Sequence, residues 1–365
     1  MRGVVDPQPS LICLINPESR VPASHPIRAI KKELDEVLRR MSPLFDEMYA
    51  ELGRPSIAPE QLLKAKVLIG LYSVRSERLF CEMLEYNLLF RWFLDMDMTT
   101  PAWNATTFSK NQERFLAHEA AKVFFVAVVE RAREQGWVSH DHFTVDGTLI
   151  EAWASLKSFA PKKGEAKKTD DDPGNPSVDF KGQKRRNDTH ESTTDPEAKL
   201  MRKAAGKEAK LSFGAHALME NRNGLCVDLQ VRPSVGVTEP QAAQEMLDEQ
   251  REMHGVKARS VGADKNYHCQ EFVSYCRENE IKPHVAVRED RQTEGLDQRT
   301  TRSQSYETSQ RIRKRVEEIF GWIKTVGGFR KTRHLGVRRT QLSAYIIGAS
   351  YNLVRMARLA IISPG

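Results

Sequence analysis

Apolar residues recur at helical spacing through the first third of the chain, then fall into shorter, strand-like runs after residue 140. Ile27, Leu34, Val37, Leu38 and Met41 mark a first amphipathic helix. Beyond Pro55 and Pro59, the positions Leu62, Leu63, Val67, Leu68 and Leu71 mark a second, from Glu60 to about Val74. Two shorter helices are predicted over Glu77–Tyr86 and Leu88–Leu94, the latter rich in aromatics with Phe90, Trp92 and Phe93. Thr106, Thr107 and Ser109 open a further helix that meets no breaker before Gly136. Residues 1–26 are Pro-rich and aperiodic and read as a flexible arm. Residues 27–135 read as a helical module, a pattern that serves DNA binding through a helix-turn-helix and plain dimerisation equally well.

The period changes at His140. His142 to Glu151 reads as strand, Asp146-Gly147 turn, strand. A polar tract over about 157–207, dense in Lys, Asp, Gly, Pro, Ser and Thr, reads as poorly ordered. Lys210–Met219 and Leu225–Val231 flank an Asn-Gly and predict a hairpin. Glu239–His254 is predicted helical, Ser260–Asp264 a short strand ending on an acid, Gln270–Asn279 a helix and Lys282–Val287 a strand. One long basic helix follows, carrying Arg311 to Lys324, then a Gly-Gly turn at 327–328 and an apolar helix from about Leu342 to Leu359. This order implies an α+β fold, a mixed sheet with helices packed on it behind an all-α N-terminal domain. The sheet domain is expected over 136–340, with 341–365 packing on it as a C-terminal helix.

Composition narrows the class. The 365 residues carry a net charge of +7, with 40% hydrophobic and 29% charged positions, as a soluble globular chain does. No apolar run reaches membrane length, and Met1 to Pro7 lacks a signal-peptide core, so the expected location is the cytoplasm, with no membrane partner. Five scattered cysteines form no CxxC pair, which argues against a disulfide framework or a zinc site. The basic excess is concentrated: Ser309–Thr340 holds ten Lys or Arg against two Glu, a local balance of +8 that favours a polyanion partner.

Three acids stand out by place. Asp146 sits at the end of the first sheet strand, Asp264 ends a later one, and Glu317 lies on the basic helix beside Val316, Ile319, Phe320 and Ile323. Acids at strand ends and on a packed helix can converge above a sheet, where they suit a pair of Mg2+ ions about 4 Å apart. Each also has a plainer reading: Asp146-Gly147 as a turn, Asp264 as a cap, Glu317 as one of a solvated pair with Glu318. Helical phase favours Glu317 over Glu318, because it shares a face with Arg313 and Lys324. His142 reads as a core or edge histidine, and Trp322 as packed. His268 is a weaker candidate for contact with DNA or the metal shell, and Trp103 for stacking on an extrahelical base.

These motifs resemble the DDE transposases of bacterial insertion sequences, in the IS-four/IS-five superfamily and most like the IS-five type. Gly53–Leu63, Leu71–Arg78, Glu85–Phe93 and Thr107–Asn111 resemble the N-terminal domain of that family. Phe143–Thr148, Gly262–Tyr267 and Val316–Lys324 resemble the segments carrying its three acids, the last within a Tyr-Arg-Glu-Lys signature. The resemblance spans about residues 50–355. It implies an RNase H-like core, a mixed five-stranded sheet with flanking helices. It implies Asp146, Asp264 and Glu317 as ligands for two Mg2+ ions, with Mn2+ as a substitute, and Arg313 and Lys324 as the signature cations. Gln310 stands where the signature has Tyr, and Tyr306 lies one turn earlier. Arg313, Lys324, Arg330, Lys331, Arg333, Lys265 and Lys110 are the expected contacts to double-stranded DNA, both the terminal inverted repeats and the target. The implied function is cleavage and strand transfer by transesterification, in a homodimer assembled on DNA. The alternatives are a nuclease of the same fold that cuts without joining, and a catalytically inactive DNA-binding derivative.

Overall fold

The computed structural model describes residues 16–49, 56–162, 179–180, 183–203, 206–235, 238–290 and 292–362. Most of residues 1–26, expected to form an arm, and the middle of the polar tract lie outside them. Eight helices precede the first strand: α1 (Pro17–Arg20), α2 (Ile27–Arg40), α3 (Ser42–Met48), α4 (Pro59–Leu71), α5 (Glu77–Tyr86), α6 (Leu88–Phe93), α7 (Thr106–Ala117) and α8 (Ala120–Glu134). Proline at the start of α4 costs no hydrogen bond, and Ser76 and Asn87 cap α5 and α6 by accepting from Leu79 N and Phe90 N. The single helix expected after Thr106 is two. The chain breaks at His118–Glu119, where Glu119 takes a left-handed φ of 49°.

The sheet domain begins with β1 (His142–Glu151), β2 (Phe159–Pro161), β3 (Asp179–Phe180), β4 (Gln183–Lys184), β5 (His190–Ser192), β6 (Lys199–Arg202), β7 (Ala209–Glu220) and β8 (Leu225–Pro233). It continues through α9 (Glu239–His254), β9 (Ser260–Ala263), α10 (Gln270–Glu278), β10 (Lys282–Val285), α11 (Gln298–Thr301), α12 (Gln304–Ile312), α13 (Arg315–Thr325) and α14 (Val337–Ile362). Five strands lie in the order β8-β7-β1-β9-β10, with β6 extending the β8 side at the far end of β7. β7 runs antiparallel to both β1 and β8, while β9 and β10 run parallel to β1. This is the mixed five-stranded sheet with flanking helices of an RNase H-like core. Asp146-Gly147 makes no turn. Its local turn tendency is overridden because β1 is central, hydrogen-bonded to β7 from Phe143 to Glu151 and to β9 at its start. Within the polar tract, β5 pairs with β2 and β6 with β7, and Asp195 is buried, accepting from Gly336 N.

Helix α14 joins the two halves. It packs on α2, α4 and α8 of the helical module and on β8 of the sheet. Among the described strands β8 pairs only with β7, so its outer backbone needs other partners. Asn352 supplies them at Cys226, accepting from the N–H at 2.9 Å and donating to the carbonyl at 2.7 Å. Gln341 accepts from Val231 N and donates to Leu229 O, and Tyr351 donates to Gly224 O. The long basic helix expected from Arg311 to Lys324 is in fact α12 and α13, with a tighter turn at Arg313-Lys314. There Val316 N donates to Arg313 O and Glu317 N to Lys314 O, three-residue spacings in place of four. Arg311, Arg313, Lys314 and Arg315 crowd like charge at that point.

Asn352 is fully buried, so Asn352→Ala strands a buried N–H and a buried C=O on the edge strand. The expected loss is about 2–4 kcal/mol, read as a lower midpoint in urea at unchanged slope. A loss below about 0.5 kcal/mol would mean that the edge finds other partners.

Candidate active site

Three neighbouring elements converge at the middle of β1. Parallel pairing matches His142 with Ser260, Phe143 with Val261 and Thr144 with Gly262. That register carries Asp264, the residue just past the end of β9, alongside Asp146 in β1. Asp146 is largely buried and accepts from Gly147 N at 2.8 Å, while Asp264 caps a short turn by accepting from Asn266 N at 2.7 Å. Burial pushes the Asp146 carboxyl up to about 6, Asp264 and Glu239 add to the rise, and Arg313 opposes it.

Glu239 is the acid that sequence reasoning did not single out. It opens α9 behind a Thr238–Gln241 capping box and accepts from Asn266 Nδ2. A Cβ at Gly147 would stand 2.8 Å from Glu239 Oε1, which shows how close this acid lies to β1. Burial raises its carboxyl, and so does Asp264. The capping box was visible in the sequence, but nothing local tied it to a site more than ninety residues earlier. Tyr267 completes the group. Its ring is fully buried, its hydroxyl has no hydrogen-bond partner, and burial together with Glu239, Asp146 and Asp264 holds the phenol well above its usual range.

Glu317 lies on α13, exposed. Arg315, two residues earlier, donates to the carbonyls of Asn221 and Arg222, and Asn221 N donates to His142 O at the start of β1. Lys324, seven residues later, donates to Thr148 Oγ1, on the same β1 face as Asp146. Helix α13 therefore runs alongside β1, with Glu317 between the two anchors. Because the chain tightens at Arg313-Lys314, Arg313 and Glu317 belong to different helices; Arg313 lies close enough to Asp146 to favour its charged form. Glu318, also exposed, lies near enough to Tyr351 to help burial raise that phenol. Among the described residues, no three His, Cys, Asp or Glu side chains stand close enough together to hold a metal. The half-buried carboxylates, whose neighbours raise Asp146 and Glu239, nonetheless fit a divalent cation that would offset their charge, and the orphaned Tyr267 hydroxyl fits its water.

Burial lowers the Lys324 ammonium to about 8, with the nearby cations Lys203 and Arg330 adding to the effect. Lys331 is engaged with Glu151 at 3.3 Å, and Arg333 is directed toward the Val74 carbonyl. Lys265 and Lys110 are exposed. Tyr306 and Gln310 both bind the β10 backbone, at Val285 O and His284 O, so neither is free to grip a phosphate. Trp103 is buried against Phe108, and Trp322 packs edge-on against Tyr351. His268 is buried and accepts from Arg288 N.

Two families match the chain: a transposase domain (DUF772) over residues 15–114 and the transposase DDE domain over residues 139–353. The second alone spans more than half of the 365 residues. The chain belongs to the DDE transposase family. That membership makes it a nucleic-acid-processing enzyme of a group that uses divalent metal ions. No curated protein matches it. Among solved structures, a piggyBac transposase synaptic complex with hairpin DNA aligns at 9% identity and a TM-score of 0.41, covering 94% of this chain and 78% of that one. A Mos1 transposase paired-end complex with left transposon end aligns at 11% identity and a TM-score of 0.21, covering 77% and 82%. A Mos1 strand transfer complex aligns at 13% identity and a TM-score of 0.22, covering 81% and 86%. Among the described residues, no helix is long and apolar enough to cross a membrane.

The raised Asp146 carboxyl carries a sign. The folded state binds this proton more tightly than the unfolded state, so the group's stabilising contribution is full at low pH and is lost as pH rises from 3.8 through about 6. In chelator at pH 8, Asp146→Asn is therefore expected to melt a few degrees above the wild type, with the gap closing toward pH 4. Adding Mg2+ should stabilise the wild type and not the variant. A variant that melts lower than wild type at pH 8 in chelator would show that the carboxylate is not a cost to the fold.

Proposed function

We propose that the chain is the transposase of a bacterial insertion sequence of the IS-five type, binding the terminal inverted repeats of its element and carrying out cleavage and strand transfer on double-stranded DNA. The observation that carries this reading is the parallel register of β1 with β9, which brings Asp264, just past the end of β9, close enough to raise the Asp146 carboxyl together with Glu239, within a DDE transposase. Asp146, Asp264 and Glu317 would hold two Mg2+ ions, or Mn2+ in their place. Such ions supply an activated water or 3′-hydroxyl and stabilise the leaving oxygen. Glu239 is the alternative third acid, favoured by its place beside Asp264 and Asn266.

The chain's own groups do the rest. Arg313, close to Asp146, offsets negative charge at the scissile phosphate. Lys324, held by Thr148 on the same face of β1, presents an ammonium to the flanking phosphate. Arg330, Lys331, Lys265 and Lys110 add backbone contacts, and the N-terminal helices recognise the element ends. Pairing two ends implies a homodimer assembled on DNA. Each joining step exchanges one phosphodiester for another, so no nucleotide energy source is needed.

Asp146→Ala, Asp264→Ala and Glu317→Ala are each expected to lower cleavage of terminal-repeat DNA by several powers of ten while leaving its binding within a few fold. Glu318→Ala should remain active. If Glu239→Gln abolishes cleavage and Glu317→Ala does not, Glu239 is the third ligand. Cutting without joining of a supplied target would instead identify a nuclease, and inactivity of the wild type with Mg2+ and Mn2+ would identify a binding protein only.

Lys324→Ala should slow single-turnover cleavage much more than it weakens end binding. The triple replacement of Arg330, Lys331 and Arg333 by Ala should do the opposite. It should reduce the slope of log affinity against log salt by about 2 rather than 3, because Arg333 is directed at the Val74 carbonyl. Equal loss of binding in both variants, with unchanged single-turnover rates, would make Lys324 only another backbone contact.

A further inference from the structure

A second polar pocket lies at the opposite end of β1, where β1, β9 and β10 begin. It is lined by Asp141, His142, Ser260, His284, Ser309 and neighbouring α12 residues. Three buried polar atoms in it have no partner: His142 Nε2, His284 Nδ1 and Ser309 Oγ. His284 and Ser309 are 3% and 2% exposed, so neither atom is served by bulk water. Unpaired buried polar atoms are rare, and three in one pocket call for a bound water or ion.

The hydrogen bonds fix what His142 offers. Ser260 Oγ donates to Asp141 O at 3.0 Å, so its proton is committed. The contact of 2.9 Å between Ser260 Oγ and His142 Nδ1 must then be donated by the imidazole. That tautomer leaves Nε2 as a bare lone pair. Burial lowers both imidazoles to about 4, so both are neutral near pH 7, as metal ligation requires. The ring centroids stand 5.8 Å apart with planes at 50°. Metal–nitrogen bonds of about 2.1 Å place a ring centroid about 3.2 Å from the ion, so two imidazoles on one ion have centroids about 5–6.4 Å apart. Space is kept by Gly262, where a Cβ would stand 3.0 Å from Ser309 Oγ and 3.3 Å from His142 Cε1.

We propose that His142 and His284 form a binding site for one borderline-soft divalent cation of the Zn2+ class, separate from the carboxylate site. Ser309 Oγ and water complete the coordination. Neutral imidazoles suit Zn2+, Co2+ or Ni2+ and not Mg2+, which prefers oxygen. The cation would tie α12 to the starts of β1 and β10, and so steady the helix pair that carries Arg313 and Glu317. Asp141 lines the same pocket but is occupied by Arg222 and Arg259.

The test uses the full-length chain carrying Asp146→Asn and Asp264→Asn, so that the carboxylate site cannot take the metal, with millimolar Mg2+ present throughout. Titration with Co2+ should give visible d–d absorption with one equivalent bound, displaced by Zn2+, and a melting temperature raised by several degrees. His142→Gln and His284→Gln should each weaken binding at least tenfold. Gly262→Ala should weaken it without removing a ligand. Because these variants can disturb the sheet, imidazole 15N shifts are also read in the parent chain, where Zn2+ should move the signals of these two histidines. The proposal is overturned if Zn2+ leaves both imidazole signals unmoved, or if both Gln variants fold and bind Co2+ with undiminished affinity.

Discussion

The architecture turns on the parallel pairing of β1 with β9. That register brings Asp264 alongside Asp146, and everything around it serves or bears the consequence. Two neighbouring carboxylates repel, and burial of Asp146 deepens the cost. A protein selected only for stability would place a neutral pair there. Here the cluster is enlarged instead, by Glu239 at the start of α9 and by a buried Tyr267 whose hydroxyl has no partner. The compensation is spread through the fold: a sheet covered by helices, a central strand bonded on both sides, and Arg313 as the nearby cation.

Sealing the edges of that sheet is the second requirement. On one side, Asn352 and Gln341 of α14 bind the free backbone of β8, so the closing helix replaces the missing strand neighbour. On the other, Tyr306 and Gln310 of α12 bind the carbonyls of β10. The same two contacts set where α12 ends, and therefore where the chain tightens at Arg313-Lys314 before α13 runs back along β1. Edge protection and placement of the basic segment are one device. Gln310 is thus a structural anchor in this chain.

Charge is partitioned along β1. Acids occupy its middle, Lys324 binds it at Thr148, and neutral histidines line its start. The lowered Lys324 ammonium reflects burial near other cations. On the proposed function, an arriving polyanion would relieve that repulsion, just as a divalent cation would relieve the repulsion between the acids, so the two halves of the site would become complementary when substrate and metal arrive together.

Much was legible in the sequence because it is encoded locally. Helical spacing marked α2, α4, α5 and α6, the Asn-Gly between two apolar runs marked the β7–β8 hairpin, and the change of period at His140 marked the mixed sheet. The family followed from short motifs around Asp146, Asp264 and Glu317, and the DDE domain match spans all three. Local signals misled where partners distant in sequence decide. Asp146-Gly147 favours a turn, yet β7 and β9 hold it in a strand. The run from Arg311 to Lys324 has continuous helical phase, yet it tightens at Arg313-Lys314 because α12 is tied to β10 and α13 to β1 and the β7–β8 turn. Glu239, Tyr267 and the His142–His284 pair were invisible as groups, because their members meet only once strands far apart in sequence fall into register. Periodicity reports which face of an element is buried; only pairing and packing decide which charges are buried together.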